Sequence, residues 1–210
     1  MLSPQQFAAA WGGDRYLFSA DQLRDISLPE TSKAFLLEAG LPLWAEVPLG
    51  FYVVPLPVFL TSPPMQAAKY PLLARYESTG FRLLGDLHYD NHLSDAEAGL
   101  YYAVQEDTGH VYRMEPDYVV EEGTSHVYQE HSKVRGKPSR FLNTSLPQFV
   151  EFLLDYRDFV AHFWPTEPER SEVPILVESL EQKWWKVDPL AMASSDNCWP
   201  MDTKDMKIQL

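Results

Sequence analysis

Phe141-Leu142-Asn143-Thr144-Ser145-Leu146-Pro147-Gln148-Phe149 is the stretch on which the fold turns. Phe141 and Leu142 close a run of strand-like segments, and Ser145 with Gln148 has the spacing of a capping box, in which a hydroxyl and an amide satisfy backbone donors at a helix start. After that box come Phe149, Val150, Phe152, Leu153, Tyr156, Phe159, Val160 and Phe163, which recur at helical spacing on one broad face. The chain therefore changes from sheet to helix here, and Pro165 is expected to end the long helix.

Working back from this junction, strands are expected at about 51–54, 58–60, 81–87, 100–104, 111–114 and 118–120, rich in β-branched and aromatic residues. Asp107-Thr108-Gly109 joins two of them as a hairpin. The first forty residues read as helical. Ser3 with Gln6, Ser19 with Gln22 and Ser27 with Glu30 repeat the capping-box spacing, and Gly40 is placed to end the third helix left-handed. Forward of the junction, a helix is expected near Pro174 and a short one from Asp188-Pro189, while residues 196–210 show no clear pattern. Strands in the middle with helices at both ends predict an α+β fold: an antiparallel sheet of about five to six strands flanked by N-terminal and C-terminal helices. One domain over 1–210 is expected, with a helical start (1–40), a sheet (51–142) and a helical end (145–210).

Bulk properties narrow the class. Hydrophobic residues make up 45% and charged residues 22% of 210, as in ordinary globular domains, and a chain of this size buries roughly 70% of its unfolded surface. The single cysteine, Cys198, rules out an intrachain disulfide or a multi-thiolate zinc site. Residues 47–68 carry no charge, but Pro48, Pro55, Pro57, Pro63 and Pro64 interrupt them, so strands and extended corners are expected instead of a membrane helix. Asp14 precedes the first basic residue, Arg15, unlike the basic start of a secretory signal. A cytoplasmic protein without a membrane partner is the expectation.

Charge is the sharper guide. Seventeen basic against thirty acidic residues give −13. Between positions 86 and 130 eleven carboxylates face Arg113 alone, a net −10. Such a field repels nucleic acid and draws in basic partners. A basic island at Lys133, Arg135, Lys137 and Arg140 follows and offers an internal ion-pair layer.

Chemistry is thin. Asp86, His88, Asp90 and His92 alternate and, on a continuous strand, would share a face suited to zinc or non-haem iron; Asp90-Asn91 is turn chemistry that breaks that face. No nucleophile elbow or phosphate-binding glycine loop occurs. Trp184-Trp185 beside Lys183 and Lys186 reads as core packing with snorkelling lysines. No catalytic residue, metal or cofactor is assigned.

Four segments in this order resemble the SUKH superfamily: Thr31-Ser-Lys-Ala-Phe-Leu-Leu-Glu-Ala-Gly-Leu-Pro42, Phe81-Arg-Leu-Leu-Gly85, the hairpin from Tyr101 to Tyr112 with Thr108-Gly109-His110-Val111, and the junction at 141–149. The fourth subgroup of SUKH immunity proteins is the most similar. The resemblance implies a non-enzymatic scaffold that neutralises a polymorphic toxin, often a nuclease, inside the producing cell. Asn143, Ser145 and Gly109 then read as fold determinants. The partner-binding face expected is acidic, with Asp86, Asp90, Glu106, Asp107, Glu121 and Glu122, and with Tyr89 or Tyr112 as anchors, occupying a basic active-site cleft. An intracellular signalling module of the same fold is the alternative; a metal-dependent hydrolase built on His88, Asp90 and His92 is a third reading.

Overall fold

The computed structural model describes residues 1–13, 15–42, 45–49, 52–59, 75–76, 81–87, 101–116, 118–120, 127–129, 136–166 and 171–209. The N-terminal region carries α1 (Pro4–Trp11), β1 (Arg15–Tyr16), α2 (Ala20–Leu23), α3 (Glu30–Glu38) and β2 (Leu41–Pro42). Strands follow as β3 (Ala45–Leu49), β4 (Tyr52–Phe59), β5 (Arg75–Tyr76), β6 (Phe81–Leu87), β7 (Tyr101–Gln105), β8 (Val111–Pro116), β9 (Tyr118–Val120), β10 (Val127–Gln129) and β11 (Gly136–Asn143). The chain closes with α4 (Leu146–Thr166), α5 (Val173–Val187), α6 (Pro189–Met192) and α7 (Cys198–Gln209).

The α+β class and the antiparallel pairing hold, but the expected sheet of five to six strands is corrected. Among the described residues the main sheet has seven strands, in the order β11-β8-β7-β6-β4-β3 with β5 on β6, and β1-β2 and β9-β10 form separate ribbons. The strands expected at 51–54 and 58–60 are one strand, β4, running through Pro55 and Pro57. Proline cannot donate to a ladder. Among the described residues β4 pairs with β6 only at Val58 and Phe59, so neither proline has a β6 partner, while β3 registers Glu46 against Pro57.

Two of the three N-terminal capping boxes form, at Ser3/Gln6 and Ser19/Gln22. The third does not, because α3 begins at Glu30 after Pro29, which supplies no side-chain cap. Gly40 ends this region at φ 72°. A Cβ there would lie 2.1 Å from the Tyr16 carbonyl oxygen, so both the backbone conformation and the close approach of β1 require glycine.

Helix α4 is the centre of the molecule. Every residue from 149 to 156 is buried, since the helix lies among α1, α3, α5 and the strands β3 and β11. An all-round buried helix must neutralise any charge it carries. Glu151 accepts the Leu2 backbone N–H at 2.7 Å, and Asp155 pairs with Lys183 of α5 at 2.5 Å. One turn earlier in α4, Phe152 stacks on Trp184 of α5 at 4.8 Å, and Trp199 of α7 closes on that pair at 5.5 and 5.1 Å. The two tryptophans of 184–185 part company: Trp184 is buried in this cluster while Trp185 is 47% exposed.

Helix α7, which hydropathy does not reveal, presents Cys198, Trp199, Asp202, Thr203 and Met206 inward. That is helical spacing, but two of the five are polar. Among the described residues, no helix is long and apolar enough to cross a membrane.

Candidate partner-binding surface

The surface is organised by the β7–β8 hairpin. Its mouth is closed by the Gln105 N–H donating to the His110 carbonyl at 2.8 Å and the Gly109 N–H to the Gln105 carbonyl at 2.9 Å. Thr108 supports the turn: its hydroxyl accepts from the His110 N–H at 3.2 Å and donates to the Gln105 side-chain oxygen at 2.9 Å. Gly109 sits at φ 73°, and a Cβ on it would reach Pro29 at 3.0 Å and the Ser32 hydroxyl at 3.2 Å. The turn is thus docked against the entrance to α3, which holds it in one place.

Strand alternation sends neighbouring side chains to opposite faces. Tyr102, Val104, Val111 and Arg113 are buried on the helix side, where Tyr102 packs on Phe149 of α4 at 5.8 Å. On the opposite face lie the rings of His110 and Tyr112, with Phe141 beside them because β11 registers Phe141 against Tyr112. Ring centroids are 5.6 Å apart for Tyr112–Phe141 and His110–Phe141, and 6.4 Å for His110–Tyr112. All three side chains are half-buried. Burial raises the Tyr112 phenol above its ordinary value, so it stays a neutral ring at physiological pH.

Arg113, the single cation between positions 86 and 130, is turned under the sheet to within 3.7 Å of the Asp202 carboxylate. Cys198 donates its thiol to the same carboxylate at 3.3 Å, and Arg140 donates to the sulfur of Met201. Burial lifts the Asp202 pKa to about 6, opposed by Arg113. Burial also pushes the Cys198 thiol well up, with Asp202 adding to the shift, so this sulfur is a protonated core group and not an activated nucleophile.

A second polar knot explains the 141–149 junction. Asp188 accepts from the Thr144 N–H at 2.7 Å, from the Asn143 amide at 3.3 Å and from the Ala191 N–H at 3.3 Å. The Gln148 amide reaches the Val187 carbonyl at 2.9 Å. These bonds fasten the start of α4 to the α5–α6 corner, the work of fold determinants.

Of the residues expected to contact a partner, Asp107 is exposed at the turn and Tyr112 is half-buried, and the two belong to one hairpin. Glu106 is 7% exposed, which leaves its carboxylate little to offer outward. Asp86 is in β6, registered against Tyr101 and Phe59. Tyr89, Asp90, Glu121 and Glu122 lie outside the described residues, as do His88 and His92 of the metal reading. Among the described residues no three metal-ligating side chains come together. The sequence alone does not single out His110 and Phe141 as contacts; the two-residue alternation from His110 to Tyr112 is the signal that links the first of them to the face.

Residues 2–205 match the SUKH-4 immunity protein family. The chain belongs to that family. The match spans α1 through most of α7, so the hairpin, the junction and the buried Arg113–Asp202 pair all fall inside the SUKH-4 region. No curated protein and no solved structure matches this SUKH-4 chain.

Proposed function

We propose that this chain is a toxin-neutralising immunity protein that works by binding alone, in the cytoplasm of the cell that makes the toxin. Its negatively charged sheet region, led by Asp107 at the hairpin turn, enters a basic active-site cleft and keeps substrate out. A nuclease fits best, because a cleft built to hold phosphates carries the positive field that this surface complements. The observation that carries the reading is the orientation of Arg113. The one cation in a stretch of net −10 is committed inward to Asp202 at 3.7 Å, so it does not offset the exposed carboxylate of Asp107 at the hairpin turn.

The remaining residues with a claim on the site are Asp86, Asp90, Glu121 and Glu122 with Tyr89 as a second anchor. Their shared contribution is long-range attraction, which speeds encounter and sets register more than it adds affinity. The test is protection in the cell. Toxin domains made by the chain's own cell are expressed with and without it; restored growth supports the reading, and undiminished killing by every one of them overturns it.

A further inference from the structure

We propose that Asp202 is a positioning residue for the β7–β8 hairpin: its carboxylate, carried by α7, draws Arg113 under the sheet, and taking up a proton releases that hold on β8. The consequence for a toxin rests on the binding reading above, whereas the link itself belongs to the free chain.

The ladder between β8 and β11 shows what a carboxylate does there. Glu115 registers against Lys137, a pair of opposite charge, but the next charged rung sets Arg113 against Arg140. Like charges directly opposite each other destabilise a sheet, and neither guanidinium can give up its proton. Helix α7 serves both members of this rung. Met201 accepts from Arg140, and the adjacent Asp202 brings its carboxylate to 3.7 Å from Arg113. Asp202 is 1% exposed. Its Oδ2 is shared by Arg113 and the Cys198 thiol, while Oδ1 is buried with no hydrogen-bond partner among the described residues. A buried charge compensated on one side only is costly, which brings the ionised and protonated forms close in free energy; burial accordingly lifts the group to about 6.

Arg113 carries this state to the hairpin. It stands two residues beyond Val111, where β8 leaves the turn, and registers against Tyr102 of β7. The hairpin is thus held at two points, at its tip where Gly109 lies against Pro29 and Ser32, and along its length by Arg113. The other charged groups on α7 and the elements packed against it are Lys204 and Asp205 of α7 itself, Glu181 of α5, paired with Lys207 at 2.6 Å, Asp188 in the junction knot, and Glu46 of β3.

The isotopically labelled full chain is titrated from about pH 7.5 to about 4.5, spanning the imidazole and carboxylate ranges, while NMR follows the amides of Thr203 in α7 and of Gly109 and Val111 in the hairpin. All samples carry His110→Gln, since histidine is itself a titrating side chain. One transition centred at about 6 should appear at all three amides, and Asp202→Asn should remove it from all three. Glu46→Gln should leave it in place. Arg113→Met should cut the link: the transition stays at Thr203, with its midpoint raised because an opposing positive charge is gone, and vanishes from Gly109 and Val111. That variant decides the matter if Asp202→Asn does not fold. A transition confined to α7 in the parent, one that survives Asp202→Asn or is lost with Glu46→Gln, a hairpin response that persists in Arg113→Met, or no transition at all would overturn the proposal. No toxin enters this experiment, so its failure leaves the immunity reading standing, and a shared transition in a chain that protects no cell keeps the link and removes the immunity reading.

Discussion

Trp199 donates its indole N–H to the side-chain oxygen of Asn143 at 3.0 Å, and neither residue reaches solvent. One residue ends the last strand of the sheet and the other lies in the first turn of the final helix, so a single bond ties α7 to the sheet-to-helix junction. Asn143 donates in turn to Asp188, which makes it the middle of a buried chain of three side chains. Removing a middle member strands both neighbours. Asn143→Leu should cost about 2–4 kcal/mol in urea unfolding, while Trp199→Phe, which loses one bond and some packing, should cost about 1–3 kcal/mol. Equal, near-zero effects would mean that the knot is ornamental.

The two glycines that close the strand–helix contacts should rank by what a Cβ would strike. At Gly109 the obstacles are side-chain atoms at 3.0 and 3.2 Å that can give a little, so Gly109→Ala should cost about 1–2 kcal/mol, mostly from its positive φ. At Gly40 the obstacle is a backbone oxygen at 2.1 Å. Gly40→Ala should therefore cost more than about 4 kcal/mol or prevent folding. Circular dichroism during thermal unfolding reads both; the reverse order would contradict the packing described.

Much of this arrangement is legible in the residues, and the failures have physical causes. Local chemistry reads well: the cap at Ser3, the left-handed end at Gly40 and the short helix after Asp188 each depend on a few adjacent residues. Helix α7 is hidden because its inward face includes Asp202 and Thr203, polar groups that fit a core only because Arg113, Cys198 and the Trp199 carbonyl wait for them. Strand β11 is hidden because Gly136, Lys137, Pro138 and Ser139 have poor strand propensity; pairing with β8 overrides it. The ring cluster is only half visible, since Phe141 joins His110 and Tyr112 through a register between strands that no local pattern encodes.

Asp202 should make stability depend on pH in a definite direction. An unfolded Asp titrates near ~3.9, whereas burial lifts the folded group to about 6. The fold holds the proton more tightly, so this contribution is fully present below pH ~4 and is lost as pH rises through about 6. Asp202→Asn cannot titrate. Its stability relative to the native chain should therefore improve by on the order of 2–3 kcal/mol between pH 4 and pH 7. Parallel stability curves over that range would show that Asp202 is ionised throughout.

The most direct measurement is the rate at which the chain associates with the toxin it protects against, followed by stopped flow across a range of salt. Electrostatic steering predicts a rate that falls at least about tenfold between low and high salt. Asp107→Lys, at an exposed position, should slow association and flatten that dependence without lowering the unfolding temperature. A rate indifferent to salt, and unchanged by charge reversal at the hairpin turn, would contradict the claim that negative charge on this sheet guides the molecule into a basic cleft.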